Sequence, residues 1–276
     1  MAITASAVNE LRKMTGAGMM DCKKALQETN GDMEAAVDFL RKKGQKISAK
    51  RADRSATEGA VIAKSSADMT TGVIVKLSCE TDFVAKNDDF VKLANDLAEV
   101  ALENQPADLD AFNALPFGGT TIGETLVNEM GKIGEKIEVP EYKLVKGEAV
   151  VNYIHAGNKI GVLVELNHQS NDAIVAAGKD VAMQIAAMNP VSVDENDISE
   201  EIKQRELEIG KEQARAEGKP EAILEKIAMG KLNKFYKDNT LLKQSFVKDS
   251  SKTVAQMLND IESGLTVTSF NRVALG

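Results

Sequence analysis

Tryptophan is absent from this 276-residue sequence, and aromatic residues make up only 4% of it. Hydrophobic residues nevertheless reach 43%, which is enough apolar surface for a buried core. That core must be built from aliphatic side chains and the 11 methionines. The length fits one large domain or two to three small ones.

Metal ligands and reactive thiols are also scarce. The chain has two histidines, His155 and His168, and two cysteines, Cys22 and Cys79, with no CxxC motif. These residues are too few for a His/Cys metal site, and isolated thiols are typical of a reducing compartment. We therefore expect no bound metal and a cytoplasmic location.

Positive charge is in deficit, and long apolar runs are missing. The net charge of −8 argues against a general nucleic-acid binder, although a local basic patch stays open. No apolar run approaches the roughly 20 residues that cross a bilayer, and no signal peptide is recognisable. We expect a soluble protein that binds neither nucleic acid nor membrane.

Residues 1–44 are predicted to form a bundle of three short helices. Thr4 and Asp32 are candidate N-caps, and each helix is expected to end at a glycine, namely Gly16, Gly31 or Gly44. Apolar residues recur at helical spacing in all three segments. Such a small bundle has a thin core, so some apolar side chains should remain outside it.

Met19 and Met20 are candidates for that exposed set, because they fall at a helix start and not on a repeating face. Residues 45–57 then change in composition, with four basic residues among Ser, Ala and Thr. We interpret 45–57 as a basic linker or a helical extension at a domain boundary.

A strand, strand, helix pattern occurs twice in the remaining sequence. Residues 58–64 and 72–78 alternate like strands and precede a helix from about 88. Residues 148–154 and 161–167 precede a helix at 172–188 in the same way. Both patterns begin at a glutamate, and Gly-Val-Ile-Val-Lys-Leu-Ser matches Gly-Val-Leu-Val-Glu-Leu-Asn. This indicates an internal duplication, although half-buried strands can look alike by coincidence.

The other segments complete an α+β architecture. Residues 104–119 are predicted to be mostly loop, 121–132 a helix, 253–261 a helix and 265–273 a strand. Residues 199–236 fit an antiparallel helical hairpin with a narrow apolar seam. Its seam residues are expected to be Ile202, Ile209, Ala216, Ile223 and Ile227. The predicted units are 1–44, the linker 45–57, core subdomain N at 58–146, core subdomain C at 147–198 with 237–276, and the hairpin 199–236.

No catalytic motif is recognisable. Neither GxGxxG nor GxxxxGK[ST] is present, and Gly16-Ala-Gly18 follows a helix, where a helix–helix turn is the simpler interpretation. Cys79 and His155 could form a thiol–imidazole pair, but a Cys within a Val/Ile strand is more often a small buried residue. We expect no enzyme activity and no cofactor.

The junction at residues 80–87, Glu-Thr-Asp-Phe-Val-Ala-Lys-Asn, is where the two copies differ. The second copy has His-Gln-Ser-Asn-Asp-Ala there instead. Phe83 and Val84 could fill the subdomain core. Alternatively, Phe83 is an exposed aromatic beside Asp82 that enters a partner's pocket, as interface aromatics do. The residue pattern leaves both alternatives open.

Several motifs together resemble the bacterial elongation factor Ts family. They are Thr-Asp-Phe-Val-Ala-Lys-Asn at 81–87, Leu-Arg at 11–12 and Thr-Gly-Ala-Gly-Met-Met-Asp-Cys-Lys-Lys-Ala-Leu at 15–26. Asn-Gly-Asp at 30–32 and Lys-Ile-Gly-Val-Leu-Val at 159–164 agree too, and the resemblance covers roughly residues 2–273. It implies a ubiquitin-associated-like N-terminal bundle, two related α+β subdomains and a protruding helical hairpin.

The resemblance also implies guanine-nucleotide exchange on elongation factor Tu, by a chain that itself binds no nucleotide and catalyses no covalent step. In the family, the residues matching Asp82 and Phe83 enter the GTPase domain near Mg²⁺, and Phe83 wedges between helices. Family contacts with elongation factor Tu map onto Thr81, Asp82, Phe83, Val84, Met19, Met20, Lys23, Ile133, Gly134 and His155.

One departure from the family pattern concerns the C-terminus. Longer members continue past the position of Arg272 into a module that touches elongation factor Tu. The sequence here stops at Gly276, so that contact is not expected. The alternative function is an adaptor whose N-terminal bundle binds folded domains. An adaptor has no use for Thr81-Asp82-Phe83, so that segment discriminates between the two.

Overall fold

The computed structural model describes residues 3–276 and begins with a three-helix bundle. Its helices are α1 (Ala5–Thr15), α2 (Met19–Glu28) and α3 (Met33–Arg51). The Thr4 and Asp32 side chains accept hydrogen bonds from the first turns of α1 and α3, which confirms both N-caps. Gly16 and Gly31 take positive φ angles of 67° and 86°, as glycines that follow helices do. The small core is formed by Val8, Leu11, Ala17, Cys22, Ala25, Leu26 and Ala36.

The first α+β unit is built on an antiparallel sheet of three strands. Its elements are β1 (Glu58–Ser65), β2 (Thr71–Cys79), α4 (Asp82–Ala85), α5 (Asp88–Asn104), α6 (Leu109–Ala114), β3 (Pro116–Phe117), β4 (Thr120–Thr121), α7 (Ile122–Ile133) and β5 (Glu138–Lys146). The sheet order is β1-β2-β5. Helices α5, α6 and α7 bury Phe90, Leu97, Phe112 and Ile122 against it.

Gly44 does not end its helix, contrary to the sequence-based expectation. Helix α3 runs on to Arg51 and crosses α7, where a Cβ added to Gly131 would lie 2.9 Å from the Gly44 Cα. The glycine is there because two helix backbones approach closely, and not because the chain turns. Residues 45–51 of the predicted 45–57 segment are therefore a helical extension that fixes the bundle against the first unit, and 52–57 connect it to β1.

The second α+β unit follows the same plan with a helical hairpin inserted. Its elements are β6 (Ala149–Ile154), β7 (Ile160–Leu166), α8 (Asp172–Met188), α9 (Glu200–Ala216), α10 (Glu221–Asn239), β8 (Ser245–Phe246), β9 (Asp249–Thr253), α11 (Val254–Ile261) and β10 (Val267–Ala274). The sheet order is β6-β7-β10, again antiparallel.

The duplication extends further than the sequence indicated. In each unit a strand hairpin leads to a 17-residue helix, then to a short hairpin, a helix with a capping box and a third strand that pairs with the second. The capping boxes are Thr121 with Glu124 and Thr253 with Gln256. The strand registers make Glu58 equivalent to Gly147. The two glutamates at which the repeat was predicted to begin, Glu58 and Glu148, are therefore not equivalent but differ by one position.

The two sheets pack face to face around a pair of equivalent glycines. A Cβ on Gly72 would lie 2.6 Å from Val150, and a Cβ on Gly161 would lie 2.7 Å from Val61. Val61 and Val150 are themselves equivalent in the two registers. The contact therefore has approximate two-fold symmetry, and each glycine makes room for a side chain of the other copy.

The helical hairpin is present, but the predicted seam was wrong. The buried residues of α9 and α10 are Gly210, Ala214, Leu224, Ala228, Leu232 and Tyr236, whereas Ile202 and Ile223 are exposed. A Cβ on Gly210 would lie 3.1 Å from the Ala228 Cα, so small residues bring the two helices together. The predicted seam relied on the spacing of the large apolar residues, and it therefore missed the face on which small residues let the helices approach.

Candidate functional site

The junction between β2 and α5 carries five residues that the second copy lacks. Equivalent residues are 89 positions apart in the strands, as in Gly72 and Gly161, but 84 positions apart at the helix starts, Asp88 and Asp172. The flanks match as well, because Glu-Thr precedes and Asn-Asp follows the extra residues where the second copy has Gln-Ser-Asn-Asp. The extra segment is therefore 82–86, which contains all of α4.

Phe83 projects from this segment into solvent. Phe83 is 85% exposed, the largest fraction among the exposed large hydrophobic residues of 3–276. Val84 and Ala85, on the other side of the same turn, pack against the core of the first unit. The core is thus sealed by Val84 and Ala85, and the alternative in which Phe83 fills it does not hold.

The Phe83 turn is fixed by hydrogen bonds to the carboxylate of Glu135. Glu135 Oε2 accepts hydrogen bonds from the backbone N–H groups of Glu80 (3.2 Å) and Thr81 (3.0 Å), and its Oε1 accepts from the Thr81 hydroxyl (2.7 Å). The Thr81 hydroxyl in turn caps α4 by accepting from the Val84 N–H. Three donors from one turn therefore converge on one side chain.

Glu80 makes the reciprocal contact. Its carboxylate accepts a hydrogen bond of 2.6 Å from the Lys136 N–H and pairs with Arg51, the last residue of α3, and with Arg54 just beyond it. Burial alone would raise the pKa of Glu80, but the Lys136 N–H and the Arg51 guanidinium outweigh it and hold the pKa below its usual value. The ionised side chain links α3 to the turn.

Asp82 lies beside Phe83 and forms an exposed ion pair of 2.7 Å with Lys86. This hydrogen bond and the charge of Lys86 lower the pKa of Asp82 and raise the pKa of Lys86. Asp82 is therefore ionised at neutral pH. Because the pair is exposed, water and salt screen it, and a partner's charges can displace it.

Cys79 is buried at the end of β2 and is not a nucleophile. Burial, and then the nearby charge of Glu135, raises the pKa of its thiol to about 12, and the Sγ donates to the Thr81 carbonyl. His155 lies exposed in the turn after β6, where its Nδ1 is 3.1 Å from the Tyr153 hydroxyl. The two residues have separate partners, so the geometry does not form a thiol–imidazole pair.

Met19, Met20 and Lys23 form an exposed patch on the first turns of α2. Met19 is 54% and Met20 is 72% exposed, which confirms the expectation that they lie outside the bundle core. The preceding turn abuts the end of α7, since a Cβ on Gly16 would lie 3.0 Å from Lys132 Nζ. The structure thereby brings the bundle next to Ile133.

Ile133 and Gly134 end α7 beside the Phe83 turn. Ile133 is 39% exposed, and Gly134 takes a left-handed conformation with φ 81°. The next residue is Glu135, whose carboxylate holds Thr81. The sites suggested by the resemblance at 81–84 and 133–134 are thus joined through two residues, Glu80 and Glu135, for which the sequence suggested no role.

A cleft of about 320 Å³ lies between the bundle and α7, lined by Met14, Arg41, Lys43, Phe117, Glu129 and Lys132 among others. Its lining does not include the Phe83 turn. Within residues 3–276, no group of three or more His, Cys, Asp and Glu side chains is arranged to hold a metal ion. Across the same residues, no helix combines the length and apolar character needed to cross a bilayer.

Comparison with known proteins gives a consistent result. The sequence profile of the family described as Elongation factor TS matches residues 80–276. The chain is 54% identical over 274 residues to Elongation factor Ts of Cytophaga hutchinsonii, with 99% of each chain covered. It is 51% identical over 276 residues to Elongation factor Ts of Amoebophilus asiaticus, with 100% of each covered. Identity to Elongation factor Ts of Porphyromonas gingivalis is 45% over 277 residues.

Proposed function

This chain belongs to the elongation factor Ts family of translation elongation factors, and we propose that it binds elongation factor Tu and accelerates the release of GDP. It acts as a nucleotide-exchange factor in the cytoplasm and catalyses no covalent step. The observation that carries the proposal is Phe83, which is 85% exposed on a turn held by four hydrogen-bonded or ion-paired neighbours, Arg51, Arg54, Glu135 and Lys136.

The proposed mechanism follows from how a GTPase holds GDP, which is largely through phosphate contacts and Mg²⁺. Phe83 wedges between helices of the partner's GTPase domain, while the carboxylate of Asp82 enters near the Mg²⁺ site. Displaced helices and a competing negative charge weaken the metal and phosphate contacts. By thermodynamic reciprocity, bound nucleotide weakens the factor by the same ratio, so GTP can later displace it.

The other contacts serve affinity and orientation. Met19, Met20 and Lys23 offer an adaptable apolar patch with one positive charge. Ile133 and Gly134 lie beside the Phe83 turn. His155, in the turn after β6, is proposed as a further contact with elongation factor Tu. Because an exposed aromatic has few neighbours in the free protein, it can be fully desolvated only by a partner, which is how interface anchors behave.

Replacing Phe83 with alanine tests the proposal. We expect stimulated GDP release to fall about 30-fold, since truncating an anchor residue costs about 2 kcal/mol of binding energy. The rate is measured with fluorescent GDP bound to elongation factor Tu, with and without the factor. Folding should be unchanged, because substitutions at exposed sites shift stability by about 0.5 kcal/mol or less.

Val247→Ala is the matched control, because Val247 is also an exposed apolar residue but lies in the β8–β9 turn of the second unit. It should retain full stimulation. Wild-type stimulation by Phe83→Ala would rule out the wedge.

A further inference from the structure

Two carboxylates exchange backbone hydrogen bonds beneath the Phe83 turn. Glu135 binds the N–H groups of Glu80 and Thr81, while Glu80 binds the N–H of Lys136. We call this reciprocal pair, Glu80 and Glu135, the carboxylate clamp. We propose that the clamp residues are positioning residues, which hold the Phe83 turn and the end of α7 in the geometry that the partner binds.

The clamp takes over where strand pairing stops. β2 and β5 pair irregularly after Lys76, and their last register pair is Ser78 with Glu138. The N–H groups of Glu80 and Thr81 therefore have no strand carbonyl to bind. Without an acceptor in the protein, these two N–H groups would bind water instead, and the Phe83 turn would be less rigid. A carboxylate satisfies both of them with charge-assisted hydrogen bonds, which are about twice as strong as neutral ones.

The clamp also reaches the N-terminal bundle. Arg51, the last residue of α3, pairs with Glu80, and the Lys136 ammonium donates to the Ala52 carbonyl at 3.0 Å. Since α3 also crosses α7 at Gly44, the methionine patch of α2 and the Phe83 turn have a fixed spacing. Preorganising two contact patches in this way reduces the entropy lost on binding.

The equivalent junction of the second unit lacks the carboxylate clamp. This unit has no extra segment at that junction, where Asn167 instead accepts a hydrogen bond from the Thr266 N–H and donates one to the Gly264 carbonyl. There the neutral Asn167 side chain binds the backbone just before the third strand, and the charged contact nearby is the longer 3.8 Å approach of His168 Nε2 to Glu262 Oε1. The two charged residues occur only in the unit that presents an exposed aromatic.

This inference rests on the proposed function, and the test separates the two. The first readout needs no partner: hydrogen exchange at the Glu80 and Thr81 amides of the free protein. Glu135→Ala should speed exchange there about tenfold or more, as loss of a hydrogen bond to a charged group implies. Glu135→Gln keeps an oxygen for both N–H groups and should retain most of the protection.

The second readout is stimulated GDP release from elongation factor Tu. Glu135→Ala should reduce it roughly tenfold through lost preorganisation, and Glu135→Gln should restore most of it. In a Phe83→Ala background, Glu135→Ala should have little further effect, because it acts through Phe83. Glu165→Ala is the control: this carboxylate holds the Ser269 hydroxyl in the second unit and should change neither readout.

Each result decides between the possibilities. Additive effects of Glu135→Ala and Phe83→Ala, or unchanged amide exchange in Glu135→Ala, overturn the clamp inference. Full stimulation by Phe83→Ala overturns the proposed function instead, and amide exchange then still decides whether Glu135 holds the turn. If Glu135→Ala does not fold, Thr81→Val and Thr81→Ser test the same hydrogen bond, and the serine variant should be the more active.

Discussion

Deleting residues 82–86 should remove exchange activity and leave the fold intact. The deletion joins Glu80-Thr81 directly to Asn87-Asp88 and so reproduces the length of the second unit's junction, Gln169-Ser170-Asn171-Asp172. In that unit the short connection already links a strand to a 17-residue helix through the Asn171 cap. Asn87 caps α5 as well, by accepting from the Asp89 N–H.

The stability change can be worked from the contacts that disappear. Phe83 contributes nothing to the core, and the exposed Asp82–Lys86 pair is screened by water and adds little stability. Val84 and Ala85 are partly buried, so their loss together costs about 1–2 kcal/mol of apolar burial. Five residues that no longer need ordering offset part of that cost. We expect a net loss below about 2 kcal/mol.

Thermal unfolding and GDP release together measure the outcome. At roughly 2–4 °C per kcal/mol, the melting temperature should fall by less than about 8 °C. GDP release should return to the rate without factor. A control variant with Gly-Gly-Ser-Gly-Gly at 82–86 keeps the length without the side chains and should be equally inactive. An unfolded deletion variant would refute the equivalence of the two junctions, and an active one would refute the role of the segment.

Two further predictions concern the elements around the turn. Gly131→Leu should lower the free energy of unfolding by about 1–3 kcal/mol and make the bundle easier to cleave with protease, because the leucine side chain has no room against Gly44. Gly230→Leu is the control: a side chain there meets no neighbour within 4 Å, so this substitution should be neutral or stabilising. Glu80→Gln should destabilise the protein at pH 7 but less at about pH 3. The pKa of Glu80 lies below its ordinary value of 4.5, so its stabilising ionised form is lost as the pH falls through the lowered pKa; urea unfolding at both pH values checks this, and an equal loss at both would contradict it.

Elements with a strong local pattern could be predicted from the sequence. The helices at 88–104 and 172–188, the strands at 58–65 and 71–79, and the caps Thr4 and Asp32 all follow from periodicity and hydrogen-bonding residues. Local signals suffice there because the residues that define each element are contiguous. The helix α6, within the predicted loop, was missed although Asp108 caps it.

Strand β5 was missed for an identifiable reason. It contains Pro140 and is only partly buried, so it lacks the alternating pattern of a half-buried strand. As an edge strand of its sheet, it tolerates a residue without an N–H group. Only the pairing with β2 reveals it, and pairing is not a local property of the sequence.

The parts of the candidate site could be named from the sequence, but the contacts that join them could not. Motif resemblance indicated the segment around Phe83, and the difference between the copies pointed to the same place. That Phe83 is exposed while Val84 is not depends on which side of α4 meets the core, a question that the sequence left open. Glu135 lies 54 residues from Thr81 in the chain, so no spacing rule could pair them.

The duplicated fold itself argues for where function lies. Gly72 and Gly161, the two capping boxes and the paired third strands occur in both units, so they reflect what the fold requires. The segment 82–86 occurs in one unit only, and the other unit folds without it. A feature that folding does not require, and that exposes an aromatic side chain to water, fits the proposed contact with a partner. Because the units are related by approximate two-fold symmetry, the same comparison predicts that the second unit's junction at 168–172 has no equivalent contact with the partner. Substitutions of His168 and Gln169 should therefore leave GDP release unchanged, and a loss comparable to that of Phe83→Ala would show that both junctions bind.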